Sequence, residues 1–110
     1  MFDSSRFLVD SIIKWAALEA ETIVVSNKGE NERGLILIKQ ELCSGLIRIW
    51  VQTRDINDNL TFTRRFHEDQ TQDFADAFIE REVQRDEDLW VLVQERSSGS
   101  LPDILMDLHR

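Results

Sequence analysis

The chain has 110 residues, 42% of them hydrophobic and 31% charged, with a net charge of −8 and a pI near 4.7. That size and balance fit one globular domain and exclude a disordered or membrane-embedded chain. No apolar run approaches the roughly 18 residues a membrane span needs. Met1-Phe2-Asp3 lacks the basic start of a secretion signal, and the lone Cys43 admits neither an intrachain disulfide nor a cysteine-based zinc site. A cytoplasmic protein is expected.

In chain order, Ser4 and Ser5 stand as N-caps. From Phe7 to Ala20, Leu8, Ile12, Trp15 and Ala16 recur at helical spacing, widened by Val9, Ile13, Ala17 and Ala20. The pattern predicts a helix of about four turns with Trp15 in the core. Thr22 to Ser26, rich in β-branched residues, reads as the first strand. The polar loop from Asn27 to Gly34, bracketed by Gly29 and Gly34, reads as a hairpin connection. Its glycine spacing and two glutamates argue against a phosphate-binding loop.

Leu35 to Leu42 is the second strand, Ser44-Gly45 a two-residue turn and Leu46 to Arg54 the third strand. Ile47, Ile49 and Val51 alternate with Arg48, Trp50, Gln52 and Arg54, giving one apolar and one cationic, aromatic face. Pairing Cys43 with Leu46 sets Glu41 opposite Arg48 and Lys39 opposite Trp50. The turn formers Asp55 to Asn59 lead to a fourth strand, with Trp50 opposite Arg65 and Arg48 opposite His67. The outer face then carries Lys39, Arg48, Trp50, Arg54, Arg65 and His67, while Arg64 falls at the rim of the apolar face.

Thr71 caps a second helix that turns Phe74, Phe78 and Val83 inward and runs to about Arg85. Leu89 to Gln94 is a fifth strand, apolar on both faces and so interior. Ser97 to Ser100 has the composition of a flexible spacer, and the tail beyond it sets Ile104, Leu105 and Leu108 along one side as a candidate docking helix. The expected architecture is α+β in the order α-β-β-β-β-α-β. A four-strand antiparallel meander is joined by a fifth strand after a helix, beside the first or the fourth strand with the first preferred. Both helices lie on one face. Residues 1–96 form the domain and residues 97–110 a linker and tail.

The run Ala75-Asp76-Ala77-Phe78-Ile79-Glu80-Arg81-Glu82-Val83, followed by Arg85-Asp86-Glu87-Asp88-Leu89-Trp90-Val91 and Glu95, resembles the close of a small uncharacterised alphaproteobacterial family. In that family a helix runs into a similar Asp-x-Asp-Leu-Trp-Val strand. The resemblance extends back through Arg6, the Gly29 to Gly34 loop and Leu35-Ile36-Leu37-Ile38-Lys39, and ends about ten residues before the C-terminus. It implies the domain boundaries and a bacterial cytosolic setting. The family is a domain of unknown function, so the resemblance brings no activity and no catalytic residues. The chain departs from the family in carrying more Ile, Lys and Asn.

No constellation in the sequence makes an enzyme. Cys43 and His67 fall at one end of the meander, but two strand spacings, about 9–10 Å, separate them, where proton transfer needs about 3 Å. Asp86, Glu87 and Asp88 lack the alternating spacing of a calcium loop, and His67 and His109 have no zinc-ligand spacing around them. Neither cofactor nor metal is expected.

Charge is uneven. From Gly34 to His67 five bases face three acids, a local +2, whereas from Glu68 to Asp88 nine acids face two bases, a local −7. An acidic chain is a poor nucleic-acid binder unless its bases are concentrated. The expectation is a non-enzymatic interaction or assembly module, homodimeric through the open sheet face or the C-terminal tail. The alternatives are binding of an anionic small molecule or single-stranded nucleic acid by Trp50 with Arg48, Arg54 and Arg65, and an enzyme whose site is not legible in sequence.

Overall fold

Seven elements follow one another in the expected order: α1 (Ser5–Leu18), β1 (Thr22–Asn27), β2 (Ile36–Leu42), β3 (Ile47–Arg54), β4 (Leu60–Arg64), α2 (Gln72–Arg85) and β5 (Trp90–Ser97). The computed structural model describes residues 4–54, 56, 57, 60–99 and 101. Asp55, Asp58, Asn59 and the tail's Ile104, Leu105 and Leu108 lie outside the described residues. Both helix starts are capped as the sequence indicates. The Ser4 hydroxyl accepts from the Phe7 amide at 3.1 Å and the Thr71 hydroxyl from the Phe74 amide at 3.2 Å.

The strands form one sheet in the order β1-β5-β2-β3-β4. Every neighbouring pair is antiparallel except β2 and β5, which run parallel. β5 thus lies beside β1, and it also separates β1 from β2. The expected four-strand meander is therefore a three-strand one, β2-β3-β4, and the Asn27 to Gly34 segment is not a hairpin. The cause is the apolar character of β5. Trp90, Val91 and Leu92 are all buried, which an edge position would not allow. α2 supplies the long crossover that a parallel pair requires.

The same two-sided burial separates the helices, and the expectation that both lie on one face is overturned. Ile36, Leu37 and Ile38 in β2 are consecutive and all buried, so the central strands need cover above and below. Ile36, Ile38, Trp90 and Leu92 pack with Leu8, Val9, Ile12 and Ala16 of α1. Leu37, Ile47, Ile49 and Val91 pack with Ala75 and Phe78 of α2. The sheet is a central layer with one helix on each face.

The segment between β1 and β2 joins these parts. The Ser5 and Arg6 amides at the start of α1 donate to the Glu32 and Asn31 carbonyls. The Glu30 amide donates to the Asp88 carbonyl at 3.0 Å, and the Trp90 indole donates to the Glu30 carbonyl at 2.8 Å. The Glu30 carboxylate accepts from the Arg33 and Glu32 amides, which hold its pKa below the usual value. These bonds use helix-start donors and a glutamate that could otherwise have faced a ligand.

Candidate functional site

The register decides which polar side chains meet. In the β2–β3 turn the Leu42 amide donates to the Leu46 carbonyl at 2.9 Å, the Gly45 amide donates to the Leu42 carbonyl, and Gly45 sits at φ +90. This is a three-residue loop closed by a left-handed glycine. The two-residue Ser44-Gly45 turn is corrected by one residue: Gln40 lies opposite Arg48 and Ile38 opposite Trp50. β3 and β4 are likewise one residue from the expected register, with Trp50 opposite Arg64. A one-residue shift moves side chains between faces.

The six residues expected on one face are consequently divided. Lys39 lies on the α2 side, buried, with its ammonium 2.9 Å from the Asp76 carboxylate and 3.4 Å from that of Glu41. Lys39 holds the Asp76 carboxyl below its usual pKa. Arg65 lies over the Phe66 and Phe78 rings at 4.7 and 5.2 Å, also beside α2. His67 is exposed, and Arg54 pairs through its backbone with Leu60. Arg48 and Trp50 occupy the α1 side.

Around Arg48 the structure assembles a cluster that the sequence did not indicate. Its guanidinium grips Asp69 in a bidentate pair, Nε to Oδ1 at 2.8 Å and Nη2 to Oδ2 at 3.0 Å. Arg64 donates to Asp69 Oδ1 at 2.9 Å. The pair holds the Asp69 carboxyl below its usual pKa and raises that of Arg48. Arg48 Nη1 also reaches the Gly99 carbonyl at 3.3 Å, and a side chain on Gly99 would collide with that nitrogen. The end of β5 and the residues after it therefore lie against the Arg48 side of the sheet, with Ser97 and Gly99 buried and Leu101 in the same apolar cluster as Trp50.

Trp50 is partly buried. Its indole donates to Gln40 Oε1, Gln40 Nε2 to Gln94 Oε1 at 3.0 Å, and Gln94 Nε2 to Glu21 Oε1 at 2.9 Å. Gln40 and Gln94 are fully enclosed, and among the described residues no buried side-chain polar atom lacks a partner. The chain stitches β3, β2 and β5 to Glu21, the residue just before β1. Two glutamines in apolar strands were the one signal in sequence that could have marked it.

Elsewhere, a shallow cleft of about 430 Å³ opens at the ends of β1, β2 and β5, lined by Thr22, Glu41, Cys43, Glu95 and Arg96. The Cys43 thiol there donates to the Arg96 carbonyl at 3.7 Å. Among the described residues no three His, Cys, Asp or Glu side chains converge as a metal set, and no helix is long and apolar enough to cross a membrane.

The sheet's two edges differ. β4 carries Arg64 and ends before Arg65, a charged edge of the kind that resists pairing. β1 reads Thr-Ile-Val-Val-Ser-Asn, without charge or proline, and among the described residues pairs on one side only. Only Ile23 is buried; Val24 is 47% and Val25 40% exposed. Sequence reasoning placed this strand inside a meander and so missed its open side.

These features define a small α+β domain whose sheet cations Lys39, Arg48 and Arg64 are paired with carboxylates and whose β1 edge is uncharged. Over residues 4–102 the chain matches the family described as protein of unknown function DUF1491, and it belongs to that family. Its fold is shared by a DUF1491 family protein from Caulobacter crescentus CB15 solved by crystallography, at 23% identity, TM-score 0.78 and coverage of 88% of this chain and 91% of that one. An NMR structure of a DUF1491 family protein from the same organism gives 24% identity, TM-score 0.80 and 92% coverage of both chains. Protein Atu0922 from A. tumefaciens, solved in solution, gives 23%, 0.76 and 88% of both. No curated protein matches the chain.

Proposed function

We propose that the protein is a cytoplasmic, non-enzymatic interaction module that takes an extended segment of its partner as an added strand along β1. The observation that carries this reading is the contrast between the sheet's two edges, β1 and the Arg64-bearing β4. In a chain that is 31% charged, one edge strand is uncharged, β-branched and, among the described residues, unpaired along its outer side. Such an edge offers a row of backbone donors and acceptors to another strand, and alternate side chains add specificity.

The cations Lys39, Arg48 and Arg64, suited to hold an anion, are engaged with carboxylates of the chain itself. Lys39 meets Asp76 and Glu41, and Arg48 and Arg64 share Asp69. A ligand stacking on Trp50 would have to displace Leu101's segment and compete with Asp69 for Arg48.

Selection of a random linear peptide library displayed on phage against the immobilised protein tests the proposal. The expected peptides are rich in β-branched residues, bind the parent chain and lose binding to Val25→Pro. Selected peptides that bind Val25→Pro as well as the parent would refute it.

A further inference from the structure

Resting on that reading, we infer that the segment β1 takes up is β1 of a second copy, paired antiparallel about a two-fold axis on which Val24 faces the partner's Val24. The Trp90 amide donates to the Leu35 carbonyl, and the parallel register sets Ile36 beside Trp90, Ile38 beside Leu92 and Gln40 beside Gln94. In a parallel ladder alternate residues direct both backbone groups to the same neighbour. Trp90, Leu92 and Gln94 therefore bond to β2, while Val91 and Val93 bond to β1.

Val93 lies opposite Val24. The Val24 backbone groups thus point inward to β5, and those of Ile23 and Val25, one residue to either side, point outward. Two outward residues flanking an inward one are self-complementary. Under a two-fold axis at Val24, Ile23 exchanges a pair of hydrogen bonds with the partner's Val25, and Val25 does the same with the partner's Ile23. The two Val24 side chains then meet at the non-hydrogen-bonded position, where opposed side chains approach most closely. Shifting the pairing by one residue would oppose side chains from different faces, which the pleat forbids.

Both half-exposed valines are covered in this arrangement. Val24 on the α2 face meets its own symmetry mate, and Val25 on the α1 face meets the partner's Ile23. Charge favours the antiparallel sense, because Glu19 and Glu21 precede the strand and Lys28 follows it. Each acidic start then lies beside the other copy's basic end. The ladder is short, since the register shifts at Ser26 and the extra residue there bends the strand. Four backbone bonds and a valine ridge make an interface in the weak, reversible class, below about 1,200 Å² in total.

Sedimentation velocity of the full chain over a concentration series, together with site-directed cross-linking, tests this pairing. The expected result is a shift from monomer toward dimer with concentration. Val24→Lys sets like charges face to face without touching the β1–β5 ladder, and the shift should be lost with the unfolding midpoint kept. In a Cys43→Ser background, Val24→Cys should form a disulfide-linked dimer under oxidised glutathione, and Val25→Cys should not, because Val25 is offset from its own mate. A monomer at every concentration with no Val24→Cys cross-link overturns the second copy. If β1-dependent peptide binding survives that result, the strand-addition reading stands without it. Concentration-dependent dimers unaffected by Val24→Lys, or cross-linked through Val25→Cys instead, also overturn the inference.

Discussion

Replacing Gly34 with alanine should destabilise the fold through a single collision. Gly34 is buried, and a Cβ placed on it would run into the Asp88 carbonyl oxygen and come within 2.8 Å of the Glu30 carbonyl. Both obstacles are backbone, so neither can swing aside as a long side chain would. Relief requires the loop to lift from the start of β5. That movement breaks the Glu30 amide bond to Asp88 and takes the Glu30 carbonyl away from the Trp90 indole. One net hydrogen bond contributes about 1 kcal/mol, and leaving a buried indole N–H without an acceptor costs about 1–3 kcal/mol more. The expected loss is roughly 2–4 kcal/mol, a fall in the unfolding midpoint on the order of 10–20 °C. Gly45 supplies the comparison. A Cβ there meets nothing within 4 Å, and the only penalty is its left-handed φ of +90, about 1–2 kcal/mol. Thermal and urea unfolding of the two alanine variants by circular dichroism would measure both. A Gly34→Ala variant as stable as Gly45→Ala would refute the reasoning.

Two further outcomes follow from the ion pairs. Arg48 depresses the Asp69 pKa in the folded state below its ordinary 3.8. The carboxylate's contribution is therefore complete above about that pH and is lost as pH falls through the depressed folded value. Asp69→Asn should be less stable than the parent at neutral pH, with the gap closing in acid; parallel curves of unfolding free energy against pH would count against the pairing. Lys39→Met should cost little, less than about 2 kcal/mol, because relief of the buried ammonium's desolvation offsets most of what its pairing with Asp76 contributes. The Asp76 and Glu41 carboxylates it leaves behind have solvent to face. A loss beyond about 2 kcal/mol in urea unfolding would show the ion pair to be structurally required.

What could be read from sequence was local. Ser4 and Thr71 cap the helices because a hydroxyl just before a periodic apolar run has one obvious partner, and both do so. The strands were legible for a similar reason, their alternation or β-branching being continuous. Registers depend on the conformation of single turn residues. Gly45 adopts a positive φ that lengthens the loop by one residue. That single difference carries Lys39 away from Trp50, and the matching shift at β4 exchanges the sides of Arg64 and Arg65. Asp69, the residue that joins Arg48 and Arg64, has no periodic or motif signature in sequence. It sits in an acidic stretch and looks like its solvated neighbours.

The position of β5 accounts for more of the molecule than any other feature, and a clue to it lay in the consecutive buried residues of two strands. Leu35 to Ile38 and Leu89 to Leu92 are apolar without alternation, which no sheet with one wet face can accommodate. Placing them side by side forces a second covered face, hence a helix on each side. It also moves β1 outward to the edge, where it keeps only one ladder and one buried side chain, Ile23. β1 lacks the lysine or proline that edge strands usually carry, although Ser26 bends its far end. Among the described residues, the four uncharged ones from Thr22 to Val25 thus form an edge with half of their backbone groups turned away from β5. A single lysine at Val24 would close this edge, which is why Val24→Lys is the variant on which the proposed pairing stands or falls.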